Sequence, residues 1–309
     1  MIPIITVQGP TAAGKTGFAV ELAKLLETEI ISADSRQIYK YLNIGTAKPT
    51  AYEMQGIKHH LIDIISPKEV YDAGRFSDDA SDIINELHSK NKIPIICGGT
   101  GFYIKALTEG LFRAPEIPDN VREALRKQTD ENGKEWLQNE LKRIDPESAE
   151  RIEFNDVHRM LRALEVYRVS GKTITEHWKG QTLSPNYETF NIQITQDRAK
   201  LYERINLRVL KMIDNGLISE VEYLISKGYN ESNPGMKAVG YKELFPYFKE
   251  GISKEECIEK IQQNSRNYAK RQLTWYRKLE FDLTLAANDI NFYKIQKRIQ
   301  EWEKGISKG

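Results

Sequence analysis

Ile2 to Val7 is a short apolar run rich in β-branched residues, and it stops at Gly9-Pro10. Such a run, with little polar alternation, predicts a strand buried on both faces. Over Gly14–Leu26, Ala19, Leu22, Ala23 and Leu26 recur at helical spacing. Two further short apolar runs, Glu29–Ser32 and Ile93–Cys97, are separated by a helical pattern around Asp78–Lys90. Apolar strands alternating with helices predict an α/β fold, a parallel sheet with helices on both faces.

After Arg113 the pattern changes. Pro115 and Pro118 punctuate the chain, and Asp119 to about Lys179 is charged and helix-rich, with no strand signal. Phe190–Thr195 then alternates apolar and polar positions, as a strand does. Helical patterns fill Arg198 to the end, apart from a loop at Asn230–Gly240. The predicted organisation is a core made of residues 1–118 and 191–309, interrupted by an all-helical insertion at 119–190. A length of 309 residues agrees with about two domains.

Charge and cysteine content narrow the function classes. Lys+Arg is 45 and Asp+Glu is 44, a net charge of +1, so any affinity for a polyanion has to be local. Two cysteines, Cys97 and Cys257, exclude a disulfide scaffold and a cysteine-rich zinc module and suit a reducing compartment. No apolar run approaches the ~18 residues of a membrane span, and no basic segment precedes the first apolar stretch. The expectation is a cytoplasmic chain with no membrane partner.

Gly9, Pro10, Thr11, Ala12, Ala13, Gly14, Lys15 and Thr16 spell G-x-x-x-x-G-K-T between the first strand and the first helix. That is the context in which the motif binds phosphate: glycines let amides converge, the helix terminus adds positive potential, Lys15 adds a full charge, and the Thr16 hydroxyl can ligate Mg²⁺. The fold class expected is therefore a P-loop NTPase-like parallel sheet flanked by helices. A dinucleotide fingerprint is excluded because no G-x-G-x-x-G follows the strand. The strand that would carry a hydrolytic carboxylate, Ile93–Cys97, ends in Gly98-Gly99-Thr100-Gly101 instead, and Asn91-Lys92-Ile93-Pro94 breaks a guanine-reading pattern. A plain GTPase is disfavoured.

Asp34 follows the second strand and Thr100 the third, at the sheet edge where ligands bind. Each is equally well read as a cap or turn residue. His59-His60 are adjacent, so their side chains diverge, and packing or a surface hydrogen bond is favoured over a metal site. From Lys260 to Lys278 there are six basic residues and no acid, interleaved with Tyr268, Trp275 and Tyr276. Ile261, Tyr268, Trp275 and Leu279 form its apolar face; Arg266, Lys270 and Arg277 form a basic one. Positive charge beside flat aromatics suits looped or single-stranded RNA.

In order, GPTAAGKT (Gly9–Thr16), DSRQ (Asp34–Gln37), NIGTAKP (Asn43–Pro49), HLID (His60–Asp63), GGTGFY (Gly98–Tyr103), RALEV (Arg162–Val166), VGYK (Val239–Lys242) and YAKRQLTW (Tyr268–Trp275) resemble the tRNA dimethylallyltransferases of the type without a zinc finger. The resemblance runs from Gly9 to Arg277; Val157-His158 departs from the usual pattern. It implies transfer of a dimethylallyl group from its diphosphate to the exocyclic amine of the adenosine 3′ of the anticodon. The loop and Arg208 would hold the diphosphate, with Mg²⁺ at Thr16 as the cofactor. Asp34 would be the base, and Thr100 would assist departure of the leaving group. RNA contacts are implied at Asp34, Ser35, Arg36, Gln37, Thr100, Arg122, His158, Arg159, Met160, Leu161 and Arg162. Further contacts are implied at Lys237, Ala238, Val239, Gly240, Tyr241, Lys242, Lys270, Arg271, Gln272, Leu273, Thr274, Trp275, Tyr276 and Arg277. The partners implied are dimethylallyl diphosphate and a tRNA anticodon stem-loop, over which the insertion closes, with the enzyme a monomer. A P-loop nucleotide kinase is the alternative, disfavoured because it has no use for the basic aromatic segment. A non-catalytic RNA-binding NTPase is disfavoured by the missing acidic strand end.

Overall fold

The computed structural model describes residues 1–110, 115–180 and 187–306. Arg113 and residues 181–186, which bear on the expected limits of the insertion, lie outside the described residues. Two units emerge: Met1–Glu109 with Pro185–Gly309, and Gly110–Ser184.

The first unit opens with β1 (Ile2–Gln8), α1 (Lys15–Leu25), β2 (Ile30–Ser32), the one-turn α2 (Ala51–Met54), β3 (His59–His60), α3 (Ala73–Ser89), β4 (Ile95–Gly98) and α4 (Gly101–Glu109). The strands pair in the order β3-β2-β4-β1-β5-β6, every pair parallel, where β5 and β6 come from the second half of the chain. β1 is central, which explains its unbroken apolar run: Ile4, Ile5 and Val7 are fully buried. Its polar members are satisfied internally, Thr6 donating to Asn191 at 2.8 Å and Gln8 to Thr6 at 3.1 Å. Gln8 is level with Gly98 of β4, so the turns after β1 and β4 leave the sheet side by side.

Among the described residues of the second unit every regular element is a helix, in line with its charged, strandless sequence. It contains α5 (Asp119–Ile144), α6 (Pro146–Arg151), α7 (Val157–Ser170) and α8 (Ile174–Gly180). α5 breaks at Gly133, whose φ of 83° lies in the region that favours glycine. Leu125, Leu137, Leu141, Met160, Ala163 and Leu164 form its core. Buried Asp145 accepts from the amides of Ser148 and Thr175 and from the Thr175 hydroxyl, tying α6 to α8.

The chain returns to the sheet through β5 (Tyr187–Thr195), α9 (Arg198–Asp214), α10 (Leu217–Ser226), α11 (Phe245–Glu250), α12 (Lys254–Tyr276), β6 (Leu283–Ala286) and α13 (Phe292–Ile306). β5 starts earlier than the expected Phe190. β6 replaces part of the helical tail read from the pattern; as a half-buried edge strand, only four residues long, it carries a weak signal. β3 is the other missed strand: His59 and His60 pair with Ile30 and Ile31, and His60 Nε2 lies 2.7 Å from Glu29. α12 begins at a capping box, Ser253 and Glu256 each holding the other's amide at 3.2 Å. No helix among the described residues is long and apolar enough to cross a membrane.

Candidate active site

Three turns meet beyond the carboxyl ends of β1, β2 and β4. The first, Gly9–Thr16, runs into α1. Gly9 has no room for a side chain, since a Cβ would lie 2.3 Å from the Ile194 carbonyl oxygen of β5. Gly14 caps α1 at φ 96°. Among the described residues, the amides of Ala12, Gly14, Lys15 and Thr16 donate to no backbone carbonyl or protein side chain. These open donors at a helix N-terminus form an anion-binding nest.

Two cations flank this nest. Lys15 Nζ donates to the Pro10 carbonyl at 2.8 Å. Burial lowers its pKa to about 8, Cys97 and Asp34 oppose that fall, and Arg208 adds repulsion. Arg208, from α9, donates through Nη2 to the Thr11 hydroxyl at 2.9 Å. Burial also lowers the Arg208 pKa, against the pull of Asp34, and its buried Nε has no partner among the described residues. An unpaired buried donor costs on the order of 1–3 kcal/mol, and an anion would satisfy it.

The second turn begins at Asp34. Its Oδ1 accepts the amides of Arg36 at 2.8 Å and Gln37 at 3.3 Å. That is the turn role foreseen for it, and it also fixes the carboxylate: no bond to Oδ2 is found among the described residues. The third turn carries Thr100, whose hydroxyl accepts the Ser35 amide at 3.0 Å and whose own amide donates to the Ala33 carbonyl at 3.1 Å. Gly98 permits this approach, because a Cβ there would lie 2.0 Å from the Ala33 oxygen.

A cavity of about 220 Å³ opens among the first two turns, α9, α12 and the segment Lys237–Lys242. Thr11, Asp34, Arg36, Arg208, Lys237, Lys242 and Arg271 line it together with Met212, Ala238, Val239, Ile261 and Tyr268. Five cations against one carboxylate suit a polyanion, and the apolar members suit a hydrocarbon group.

The structure divides the residues singled out in the sequence. Of the α12 segment, Lys270, Thr274 and Arg277 are exposed and Leu273 and Trp275 are half-buried, whereas Gln272 and Tyr276 are buried and hydrogen-bonded inside the site. The inward face is Cys257, Ile261, Ser265, Ala269, Gln272 and Tyr276, rotated from the apolar stripe expected, because buried Ser265 and Gln272 are polar. Tyr241 is fully buried; its hydroxyl donates to Glu220 and accepts the Gly45 amide at 3.1 Å. Lys237 and Lys242 are exposed, whereas Ala238 and Gly240 are buried. Arg122, His158, Arg159, Met160, Leu161 and Arg162 belong to the helical unit. There Arg122, Arg159 and Arg162 pair with Asp119, Asp156 and Glu165, and Met160 is part of the core.

Tyr268 and Glu220 are additions. Tyr268 lines the cavity with Asp34, and burial, helped by that carboxylate, pushes its pKa up to about 12, so it stays a neutral donor. Its signals in the sequence are its place among the aromatics of the basic segment and at the head of YAKRQLTW, although neither assigns it a role in the site. Glu220 accepts the amides of Asn43 and Ile44 and pins the NIGTAKP loop. Nothing in its local sequence marks it.

A family model described as IPP transferase matches residues 37–279. A tRNA dimethylallyltransferase of Acetivibrio thermocellus is 47% identical over 279 residues, covering 90% of this chain and 89% of that one. The crystal structure of the full-length tRNA isopentenylpyrophosphate transferase from Bacillus halodurans aligns with a TM-score of 0.72 at 36% identity, covering 98% of this chain and 99% of the other. A eukaryotic dimethylallyltransferase acting on tRNA aligns with a TM-score of 0.79 at 28% identity, over 93% of this chain and 74% of that one. Given an anion-binding turn, a carboxylate that shares one cavity with Thr11 and Arg208, and these matches over nearly its whole length, the chain belongs to the tRNA dimethylallyltransferase family.

Proposed function

We propose that, within the dimethylallyl transfer to tRNA that defines its family, this enzyme alkylates the exocyclic amine of the adenosine 3′ of the anticodon. The donor's diphosphate rests on Gly9–Thr16 and Arg208. The allylic C–O bond breaks, its electron pair leaves on the diphosphate, and a C–N bond forms to the adenine amine. That amine is a weak nucleophile because its lone pair is delocalised into the ring, so it must lose a proton as the bond forms. Asp34 accepts this proton. The observation that carries the reading is the Asp34 carboxylate, anchored through Oδ1 and open at Oδ2, on the cavity that Thr11 and Arg208 also line.

Charge develops on the leaving diphosphate, and the open amides, Lys15 and Arg208 are aimed where it develops. The Thr100 hydroxyl accepts from the Ser35 amide and donates to the Ser35 hydroxyl only at 3.4 Å, so turning its hydrogen to a diphosphate oxygen gives up a long bond. A Mg²⁺ ion fits the donor set: the Thr16 hydroxyl is exposed at the start of α1, and a hard cation would complete its shell with diphosphate oxygens and water. Among the described residues no group of three or more His, Cys, Asp or Glu side chains forms a metal cluster, so Thr16 would be its protein ligand. When bound, the ion neutralises charge on the leaving group.

For RNA, Lys237, Lys242, Arg271, Lys270 and Arg277 supply phosphate contacts from the sheet unit, and Arg122, His158, Arg159 and Arg162 supply them from the helical unit. The adenine leaves its stack to reach Asp34. The reaction runs in the cytoplasm, where tRNA is available, and a single chain suffices because every residue assigned to the chemistry lies in the sheet unit.

The test is incubation with a tRNA transcript, Mg²⁺ and labelled dimethylallyl diphosphate, followed by digestion to nucleosides. Labelled dimethylallyladenosine from the position 3′ of the anticodon is expected. Label at another position, or phosphate transfer from ATP to a nucleotide without labelled RNA, would overturn the reading.

A further inference from the structure

One side chain of α12 reaches two turns of the site. Gln272 is 6% exposed. Its Oε1 accepts the Thr11 amide at 2.8 Å, and its Nε2 donates to the Gly99 carbonyl at 2.7 Å. A carboxamide holds one acceptor and one donor side by side, so only this orientation satisfies both partners. The surroundings are shaped to it: a Cβ on Gly99 would lie 2.5 Å from Nε2. One turn later, Trp275 covers Gly101, where a Cβ would lie 2.3 Å from the indole nitrogen. Thr11 is the residue that Arg208 grips, and Gly99 directly precedes Thr100.

We propose that Gln272 is a positioning residue for the transfer reaction, holding the diphosphate loop and the Thr100 turn in register through one carboxamide. It does so from the helix whose neighbours Lys270 and Arg277 face outward. This rests on the reading of Gly9–Thr16 as the diphosphate site. Tyr276 of the same helix adds a second, longer tie: its hydroxyl donates to the Gly99 carbonyl at 3.3 Å and also bonds the Gly9 backbone. A shift of about 1 Å between leaving group and acceptor costs on the order of 10²-fold in rate.

Glutamate is nearly isosteric with glutamine, so the substitution Gln272→Glu isolates the hydrogen-bond pattern from packing. One carboxylate oxygen still accepts from Thr11, but the other then faces the Gly99 carbonyl, acceptor against acceptor. Protonation restores the donor, so low pH mends the contact. The charged and titratable groups of the turns and helices it joins, which act on one another electrostatically, are Lys15 of α1, Asp34 after β2, Cys97 of β4, Arg208 of α9, and Tyr268, Arg271 and Tyr276 of α12. Gln272→Leu adds no titratable group, so it controls for their own titrations, while Lys15 and Arg208 hold the introduced carboxyl's pKa down and Asp34 pushes it up.

Single-turnover transfer is measured for wild type, Gln272→Glu and Gln272→Leu between about pH 5.5 and 8.5, with thermal unfolding and inorganic diphosphate binding alongside. At the upper pH both variants are expected to lose roughly 10²-fold in rate, with the KM for tRNA within about threefold of wild type. As pH falls, the ratio of Gln272→Glu to wild type rises several-fold while that of Gln272→Leu stays flat. A wild-type rate in either variant, or ratios equally flat with pH, would overturn the proposal; Gln272→Leu decides alone if the glutamate variant does not fold. Failure of the wild type to bind inorganic diphosphate would overturn the underlying reading of the loop instead, and is seen separately.

Discussion

Substituting Gly98 by alanine tests whether the distance between the ends of β2 and β4 sets the rate. An added Cβ would lie 2.0 Å from the Ala33 oxygen and 2.4 Å from its carbonyl carbon, where real contacts do not fall below 3.0 Å. The backbones must therefore part by 3.0 − 2.0, about 1 Å. Ala33 accepts the Thr100 amide at 3.1 Å and is followed by Asp34, so that displacement passes into the separation of the two. Misplacement of this size costs roughly 10²-fold in rate, or about 2.7 kcal/mol of transition-state stabilisation. Overpacking lowers stability by about 1–3 kcal/mol as well. Single-turnover transfer should fall accordingly while inorganic diphosphate binding, measured calorimetrically, stays within a few-fold. A folded Gly98→Ala variant with a wild-type rate would refute the reasoning.

With a Lys15 pKa of about 8 in the free protein, an arriving diphosphate favours the ammonium form and raises that pKa. Protons should be taken up on binding near pH 8, and affinity should weaken as pH rises through 8; calorimetry in buffers of different ionisation enthalpy reads both, and Lys15→Met should abolish the uptake. The exposed pair Lys270 and Arg277, changed together to alanine, should make the log–log salt dependence of tRNA affinity shallower by about one to two units and leave diphosphate affinity alone. Met160 is 1% exposed in the core of the helical unit, so Met160→Ala should destabilise it by about 2–5 kcal/mol in denaturant unfolding without altering the salt slope.

Much of this is legible in the sequence where local pattern and chemistry coincide. The unbroken run of β1 suits only a strand covered on both sides, and a glycine-rich turn before a helix suits an anion there. Asp34 and Thr100 fall at the sheet edge, as read, because both directly follow strands. What local pattern does not settle is which face of a helix turns inward. The apolar stripe on α12 points to Tyr268 and Trp275, yet the face that docks is set by Ser265 and Gln272, polar residues that lie buried; Gln272 is there because it finds partners. Gln272 meets Thr11 across 261 residues of sequence, and Glu220 meets Ile44 across 176. No local pattern encodes such pairings. β3 and β6 escape for a different reason: two and four residues at sheet edges carry almost no periodicity.

The central claim is that the carboxylate after β2 takes the amine proton while the loop after β1 holds the leaving group. Replacing Asp34 by asparagine keeps an acceptor for the amides of Arg36 and Gln37 and removes the base. Single-turnover transfer with saturating tRNA and dimethylallyl diphosphate measures this step directly. The rate should fall by roughly 10²–10⁴, with tRNA affinity within a few-fold of wild type. A wild-type rate in the Asp34→Asn enzyme would contradict it and reduce Asp34 to a turn residue.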